Sequence, residues 1–303
     1  MTVSGLFVAI LLGSATILLA AIAGASLFIA HQTMRRRVPD APTNPRELGL
    51  DFEPVTFFSR DGLRLGGWFV PTAGRARGTI VLCHGHAGSL DADLHYVPAF
   101  HQHGYNVLQF DFRAHGRSEG QHVSMGYLER RDLLGAIDFL RARGISKVGV
   151  LGFSMGGAVA VSTAAECPSI VAIVSDGGFA RILTTLQMGI QQRGVPPWLA
   201  RILGAVVVRL VGWRLSCHLS DADPVDLIGR ISPRPLLLIH GGRDRYVPAS
   251  EVEMLYDSAG KPKELWAVPE AEHRQVDQVR PEEYITRVLA FFDAALAQRV
   301  HRK

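Results

Sequence analysis

The chain has 303 residues, with 32 Lys and Arg against 28 Asp and Glu, a formal charge of +4, and 48% hydrophobic against 20% charged residues. That length admits one large core or two domains, and that balance excludes a disordered chain. No basic stripe with interleaved aromatics occurs outside Arg35-Arg36-Arg37, which argues against a nucleic-acid binder, and a mean hydropathy of +0.15 marks an apolar excess to be located.

From Leu6 to Ala30 there is no charge, and 20 of the 25 residues are apolar. A helix of that length spans about 37 Å, against a hydrocarbon core of about 30 Å. Residues 6–30 are therefore read as an uncleaved transmembrane anchor. The rival reading is a cleavable signal peptide, because Ala23-Gly24-Ala25 has the small-x-small pattern of a cleavage site. Against it, no Lys or Arg precedes the run, the run continues past that site, and a basic cluster follows. Arg35, Arg36, Arg37 and Arg46 all lie on the far side of the span, so the body of the protein is expected to face the cytoplasm.

Residues 31–50, proline-rich and without hydrophobic period from position 38 on, are read as a linker, and 51–303 as one α/β domain. Val55–Phe58 and Leu63–Val70 flank Ser-Arg-Asp-Gly as a hairpin. Short continuous apolar runs follow at Thr79–Cys83, Asn106–Phe110, Lys147–Leu151, Ile170–Ser175 and Leu236–His240, the pattern of strands buried on both faces. Helices are expected over Met125–Arg143, Met155–Ala165, Ala249–Ala259 and Glu282–Gln298. Strand alternating with helix predicts right-handed crossovers and a mostly parallel sheet. Between about 178 and 233 the rhythm breaks, and 179–220, with the apolar stretch Leu199–Trp213, reads as a helical cap that either packs on the core or touches lipid. Cys83, Cys167 and Cys217 are too few for a disulfide framework and show no metal-ligand spacing, so they read as reduced, buried thiols.

The chemistry starts from Gly152-Phe153-Ser154-Met155-Gly156, a G-x-S-x-G motif between an apolar strand and a helix. Such a turn holds its serine in a strained conformation at the carboxyl end of the sheet, beside a helix N-terminus that favours developing negative charge. Ser154 needs a base, and the base needs an orienting acid. In this architecture the order along the chain is serine, acid, histidine. His273, after the run Leu265–Val268, is preferred as base over His301 in the basic tail. Asp244, after the strand ending at His240, is the expected acid; its alternative role is a turn or cap aspartate, in which case Asp176 substitutes. Two backbone N–H groups should hold the oxyanion: that of Met155, and that of His86 in His84-Gly85-His86-Ala87-Gly88. His84 is read as bracing that loop rather than binding a metal, and His101 and His103 as polar residues at a helix end.

The set HGHAG at 84–88, DFRAHGRSEG at 111–120, GFSMGG at 152–157, HGGRDRYVP at 240–248 and the late His273 resembles the α/β-hydrolase superfamily. In particular it resembles the membrane-tethered serine esterases, lipases and peptidases of unassigned substrate. The resemblance covers about 51–300 and implies an eight-stranded sheet and acyl-enzyme chemistry without a cofactor. Serine at 154 disfavours the branches with an Asp or Cys nucleophile. The stretch 267–277 lacks the glycine that many relatives carry just before the histidine. The expected activity is cleavage of an ester-type bond, on an apolar acyl or lipid-like small molecule. The alternatives are a peptidase or thioesterase using the same triad, and a membrane-bound binding protein without catalysis. The sequence sets neither the natural substrate nor the oligomeric state.

Overall fold

The computed structural model describes residues 3–38 and 40–297. The apolar runs form an eight-stranded sheet: β1 (Glu53–Phe58), β2 (Arg64–Val70), β3 (Gly78–Cys83), β4 (Tyr105–Phe110), β5 (Val148–Phe153), β6 (Ile170–Asp176), β7 (Leu236–Gly241) and β8 (Lys263–Val268). Their order is β1-β2-β4-β3-β5-β6-β7-β8, antiparallel through β1, β2 and β4 and parallel from β4 to β8. The β1–β2 hairpin is closed by Ser59, whose Oγ accepts the Leu63 N–H at 2.9 Å and donates to Asp61 at 2.7 Å.

The helices are α1 (Val3–Met34), α2 (Val97–Gln102), α3 (Glu129–Ala142), α4 (Met155–Ala164), α5 (Ile182–Gln191), α6 (Pro197–Leu215), α7 (Pro224–Leu227), α8 (Ala249–Ser258), α9 (Val276–Val279) and α10 (Pro281–Ala297). Strand side chains alternate between two cores, as a period of two requires. Val81, Val150, Ile173 and Leu238 pack with residues of α3, α4 and α8 on one face. Ile80, Leu82, Leu151, Val174 and Leu237 pack with Phe100, Tyr284, Val288 and Phe292 on the other. This is the α/β-hydrolase fold.

The expected elements differ from the observed ones in two informative places. The helix expected from Met125 starts at Glu129. Met125 and Gly126 have φ of 57° and 111°, and the Glu129 carboxylate takes the N–H groups of Ser124 and Gly126 and the Ser124 hydroxyl, so a capped turn replaces the first helical turn.

At the N-terminus, α1 runs on to Met34, into the segment read as linker. It is long and apolar enough to cross a membrane, and it leaves Leu6 to Leu19 exposed. Its last turns do not hang free: Ser26, Ala30 and Thr33, spaced four and three apart on one face, are buried. Ile22 and Ile29 pack with Ile190, Ala200 and Leu203 of α5 and α6. The rest of the proline-rich segment is tied down as well, with Asp40 accepting from Ser89 N at 2.7 Å and Asp91 accepting from Thr43 N at 3.1 Å.

The segment 179–220 folds as α5 and α6, separated by Gly194 at φ 84° and Pro196-Pro197 at the start of α6. Its base is fixed by Glu251, which accepts the N–H groups of Ala180 and Arg181 at 2.9 and 2.8 Å, and by Asp223, which accepts that of Ile182 at 2.9 Å. One face of α6 buries Ala200, Leu203, Val207 and Val211, while Trp198, Ile202 and Trp213 are exposed.

Candidate active site

Every strand end that matters here points to the same edge of the sheet. β5 ends at Phe153, and Ser154 follows with φ 52° and ψ −113°, a left-handed conformation a serine adopts only under constraint. The constraint is packing. A Cβ on Gly156 would lie 2.1 Å from the Cys83 carbonyl oxygen, and one on Gly152 would lie 2.2 Å from that of Gly156. The turn is pinned by Ser154 N donating to Asp176 O at 2.8 Å. Met155 opens α4, so its N–H is among those without an intrahelical acceptor.

His273 lies in the loop after β8 and Asp244 in the loop after β7. The structure brings both to Ser154: His273 Nε2 is 3.0 Å from Ser154 Oγ, and His273 Nδ1 is 2.6 Å from Asp244 Oδ2. The Asp244 carboxylate is fully buried, and its other oxygen accepts the N–H groups of Tyr246 and Val247, each at 2.8 Å. The turn role and the histidine-orienting geometry therefore coexist in one residue. A carboxylate that accepts Nδ1–H leaves the Nε2 lone pair facing the hydroxyl.

Asp176, the alternative acid, makes no hydrogen bond with His273. It accepts the Tyr284 hydroxyl at 2.9 Å beneath the sheet edge, and burial pushes its carboxyl up to about 6. His301 lies outside the described residues.

The loop after β3 closes the site from the side. A Cβ on Gly85 would be 3.5 Å from that of Ser154, and Gly85, His86, Ala87 and Gly88 line the same cavity as Ser154 and Met155. His84 braces this loop: its Nε2 accepts Phe112 N–H at 2.9 Å, so Nδ1 carries the proton and donates to Gly85 O at 2.7 Å. Burial pushes the His84 imidazole well below its usual range, so it stays neutral. The His115 ring reaches the His86 carbonyl at 2.9 Å. His103 lies 2.7 Å from Asp293 at the end of α2, away from the cavity. All three cysteines are free thiols, Cys83 and Cys167 buried as expected but Cys217, just past the end of α6, only half-buried, and among the described residues no three His, Cys, Asp or Glu are arranged to hold a metal ion.

Two contributors escaped the sequence reading. Arg274, directly after His273, has φ 56°, so the left-handed residue falls after the histidine instead of at a preceding glycine. Its half-buried guanidinium stacks 4.1 Å over Phe153 and pairs with Asp93 at 2.7 Å, binding the histidine loop to the segment that follows β3. The other contributor is the end of α1. His86 Nε2 is 3.0 Å from the Thr33 carbonyl and 3.0 Å from the Arg37 guanidinium, and burial pushes the imidazole down to about 3. Thus Arg36 and Arg37, read from sequence as an orientation signal, also dock on the domain: Arg36 donates to the carbonyls of Gly116 and Gly120 at 2.9 and 3.0 Å.

The cavity above Ser154 and His273 has a volume of about 790 Å³. Phe28, Ile29, Gln32 and Thr33 of α1 and Leu186 and Ile190 of α5 form the wall opposite the sheet. That size suits a small organic molecule of moderate length.

Comparison with known proteins agrees with the fold. Residues 74–227 match the family described as serine aminopeptidase, S33. The YfhR protein of Escherichia coli O157:H7 is 34% identical over 230 residues, 73% of each chain. The α/β hydrolase domain-containing protein WAV2 of Arabidopsis thaliana is 29% identical over 251 residues, covering 78% of this chain and 79% of that one. Among solved structures, the Pyrococcus furiosus esterase Pf2001 superposes with a TM-score of 0.74 at 28% identity, over 87% of this chain and 98% of that one. With its eight-stranded sheet, strained serine turn and family match, the chain belongs to the serine aminopeptidase (S33) family of α/β hydrolases.

Proposed function

We propose that this α/β hydrolase is a membrane-anchored serine hydrolase that cleaves an ester-type bond through an acyl-enzyme. The carrying observation is the continuous chain Ser154–His273–Asp244, at 3.0 and 2.6 Å, opening into a cavity. Ser154 Oγ attacks the carbonyl carbon while His273 Nε2 takes its proton, and Asp244 stabilises the imidazolium. The N–H groups of Met155 and His86 receive the oxyanion. Collapse breaks the carbon–oxygen bond, and the alcohol leaves with the proton from His273. Water then attacks the acyl-Ser154, giving its proton to His273, and the carboxylic acid departs as Ser154 regains its hydrogen.

The family description favours a second reading, an aminopeptidase. Its substrate would bring an α-ammonium to the site, and such a group calls for a carboxylate nearby. Among the described residues the cavity is lined by four arginines, Arg35, Arg37, Arg193 and Arg274, and by no Asp or Glu. That field opposes an ammonium, and an ester is the substrate class carried by the name of the Pf2001 relative. Turnover of p-nitrophenyl esters by the purified full chain, with aminoacyl p-nitroanilides left intact, is the expected outcome. The reverse preference contradicts the ester reading.

The anchor reading draws support from α1 itself. Its last turns belong to the cavity wall, so an uncleaved α1 keeps that wall whole. With Arg35, Arg36, Arg37 and Arg46 after the span, the catalytic domain faces the cytoplasm in this proposal. Carboxy-terminal alkaline phosphatase and fluorescent-protein fusions test it: fluorescence without phosphatase activity is expected, and phosphatase activity contradicts it.

A further inference from the structure

Resting on the hydrolase reading above, we propose that the cavity contains an anion subsite formed by Arg35, Arg37 and Arg193, and that the substrate is an anionic acyl ester whose phosphate or carboxylate is held there. The arginines come from two elements that meet over the serine: Arg35 and Arg37 just after α1, Arg193 just after α5. The other arginine lining the cavity, Arg274, is paired with Asp93. Among the described residues no carboxylate pairs with these three.

The half-buried Arg37 guanidinium donates to the Gln32 carbonyl at 3.0 Å and contacts the His86 ring, and its buried Nε has no partner. Burial first, then the neighbouring charges of Arg35 and Arg193, hold its pKa below the ordinary arginine value. The Arg193 guanidinium donates to the Gly189 carbonyl at 2.8 Å and is otherwise open to the cavity side. Three like charges gathered on one wall repel one another, and a bound anion relieves that repulsion while supplying the missing acceptors.

The surroundings carry the same sign, since residues 177–220 contain five arginines and no Asp or Glu. Phe28, Ile29, Leu186, Ile190 and Val195 supply the apolar part of the lining, suited to an acyl chain. A bilayer lipid and a soluble anionic ester share this chemistry.

The test uses the full-length protein in phosphatidylcholine vesicles and two esters with one acyl chain, 1-oleoylglycerol 3-phosphate and 1-oleoylglycerol. The wild type is expected to prefer the phosphate ester by at least about tenfold in kcat/KM, the size of one charge-assisted hydrogen bond. The Arg35→Ala/Arg193→Ala variant should bring that ratio to about one, and Arg193→Glu should bring it below one. A wild-type ratio of one or less overturns the subsite, as does a ratio that the variants leave unchanged. Repeating the comparison with the hexanoyl pair, monomeric in solution, distinguishes the sources. Preference in both presentations supports a subsite open to soluble esters, and preference in vesicles alone supports the subsite with the bilayer as source. Fluorophosphonate labelling separates the two levels of failure. A labelled enzyme without anion preference overturns the subsite alone, and an unlabelled folded enzyme overturns the hydrolase reading and the subsite with it.

Discussion

The two walls of the cavity are built on opposite principles. On the sheet side the triad itself has its partners: Ser154 N is held by Asp176 O, the His273 ring by Asp244, and the second Asp244 oxygen by two backbone N–H groups. On the helical side, made by the ends of α1 and α5, Arg37 Nε is buried without an acceptor, and among the described residues no carboxylate pairs with Arg35, Arg37 or Arg193. A triad whose hydrogen bonds are already made costs little reorganisation when charge develops, which suits bond breaking. A wall with unsatisfied donors and exposed apolar side chains is completed by a ligand, which suits selection.

The comparison breaks most sharply on the sheet wall. His273→Ala and Ser154→Ala should each lower kcat for a p-nitrophenyl ester by about ten-thousandfold or more, and Asp244→Asn by about a thousandfold or more, because the imidazole loses its orienting acceptor. Gly156→Ala drives a methyl into the Cys83 carbonyl and should cost more than about 3 kcal/mol, read as a loss of soluble or detergent-extracted folded protein.

Asp176→Asn separates structure from chemistry on the same wall. The folded carboxyl titrates at about 6 because burial disfavours its charge, above the value of about 4 in the unfolded chain. The wild type therefore loses stability as pH rises from about 4 through 6, and the uncharged variant does not. The variant's advantage in Tm should grow between pH 4 and 7.5, equivalent to about 2–3 kcal/mol, with turnover kept within a few-fold. A thousandfold loss of turnover would instead make Asp176 the triad acid. The smallest effect belongs to the helical wall: Phe28→Ala should raise KM for an octanoyl ester relative to an acetyl ester by about three- to tenfold at unchanged kcat, since it removes apolar lining without touching the triad.

The same division decides how much was legible in the sequence. The sheet could be read because doubly buried strands leave uninterrupted apolar runs, and β3, β5, β6 and β7 begin or end within two residues of the expected bounds. Ser154, Asp244 and His273 could be located because each closes a strand in a fixed order. The start of α3 was missed since Glu129 caps a left-handed turn that helical periodicity does not reveal. The helical wall was hidden for a deeper reason. An apolar run followed by arginines encodes a membrane span equally well whether its end is free or docked. Only the three-dimensional packing shows Thr33 and Arg37 against His86. Arg274 was overlooked because its role lies in a long-range pair with Asp93, 181 positions away.

The central claim is that Ser154 is a nucleophile activated by His273 and oriented at the cavity floor. The most direct measurement is mass-spectrometric mapping of the adduct formed when the full-length protein reacts with a fluorophosphonate. The account predicts one adduct on the peptide carrying Ser154, lost in Ser154→Ala and slowed by orders of magnitude in His273→Ala. A folded wild type that forms no adduct, or an adduct that persists in Ser154→Ala, would contradict it.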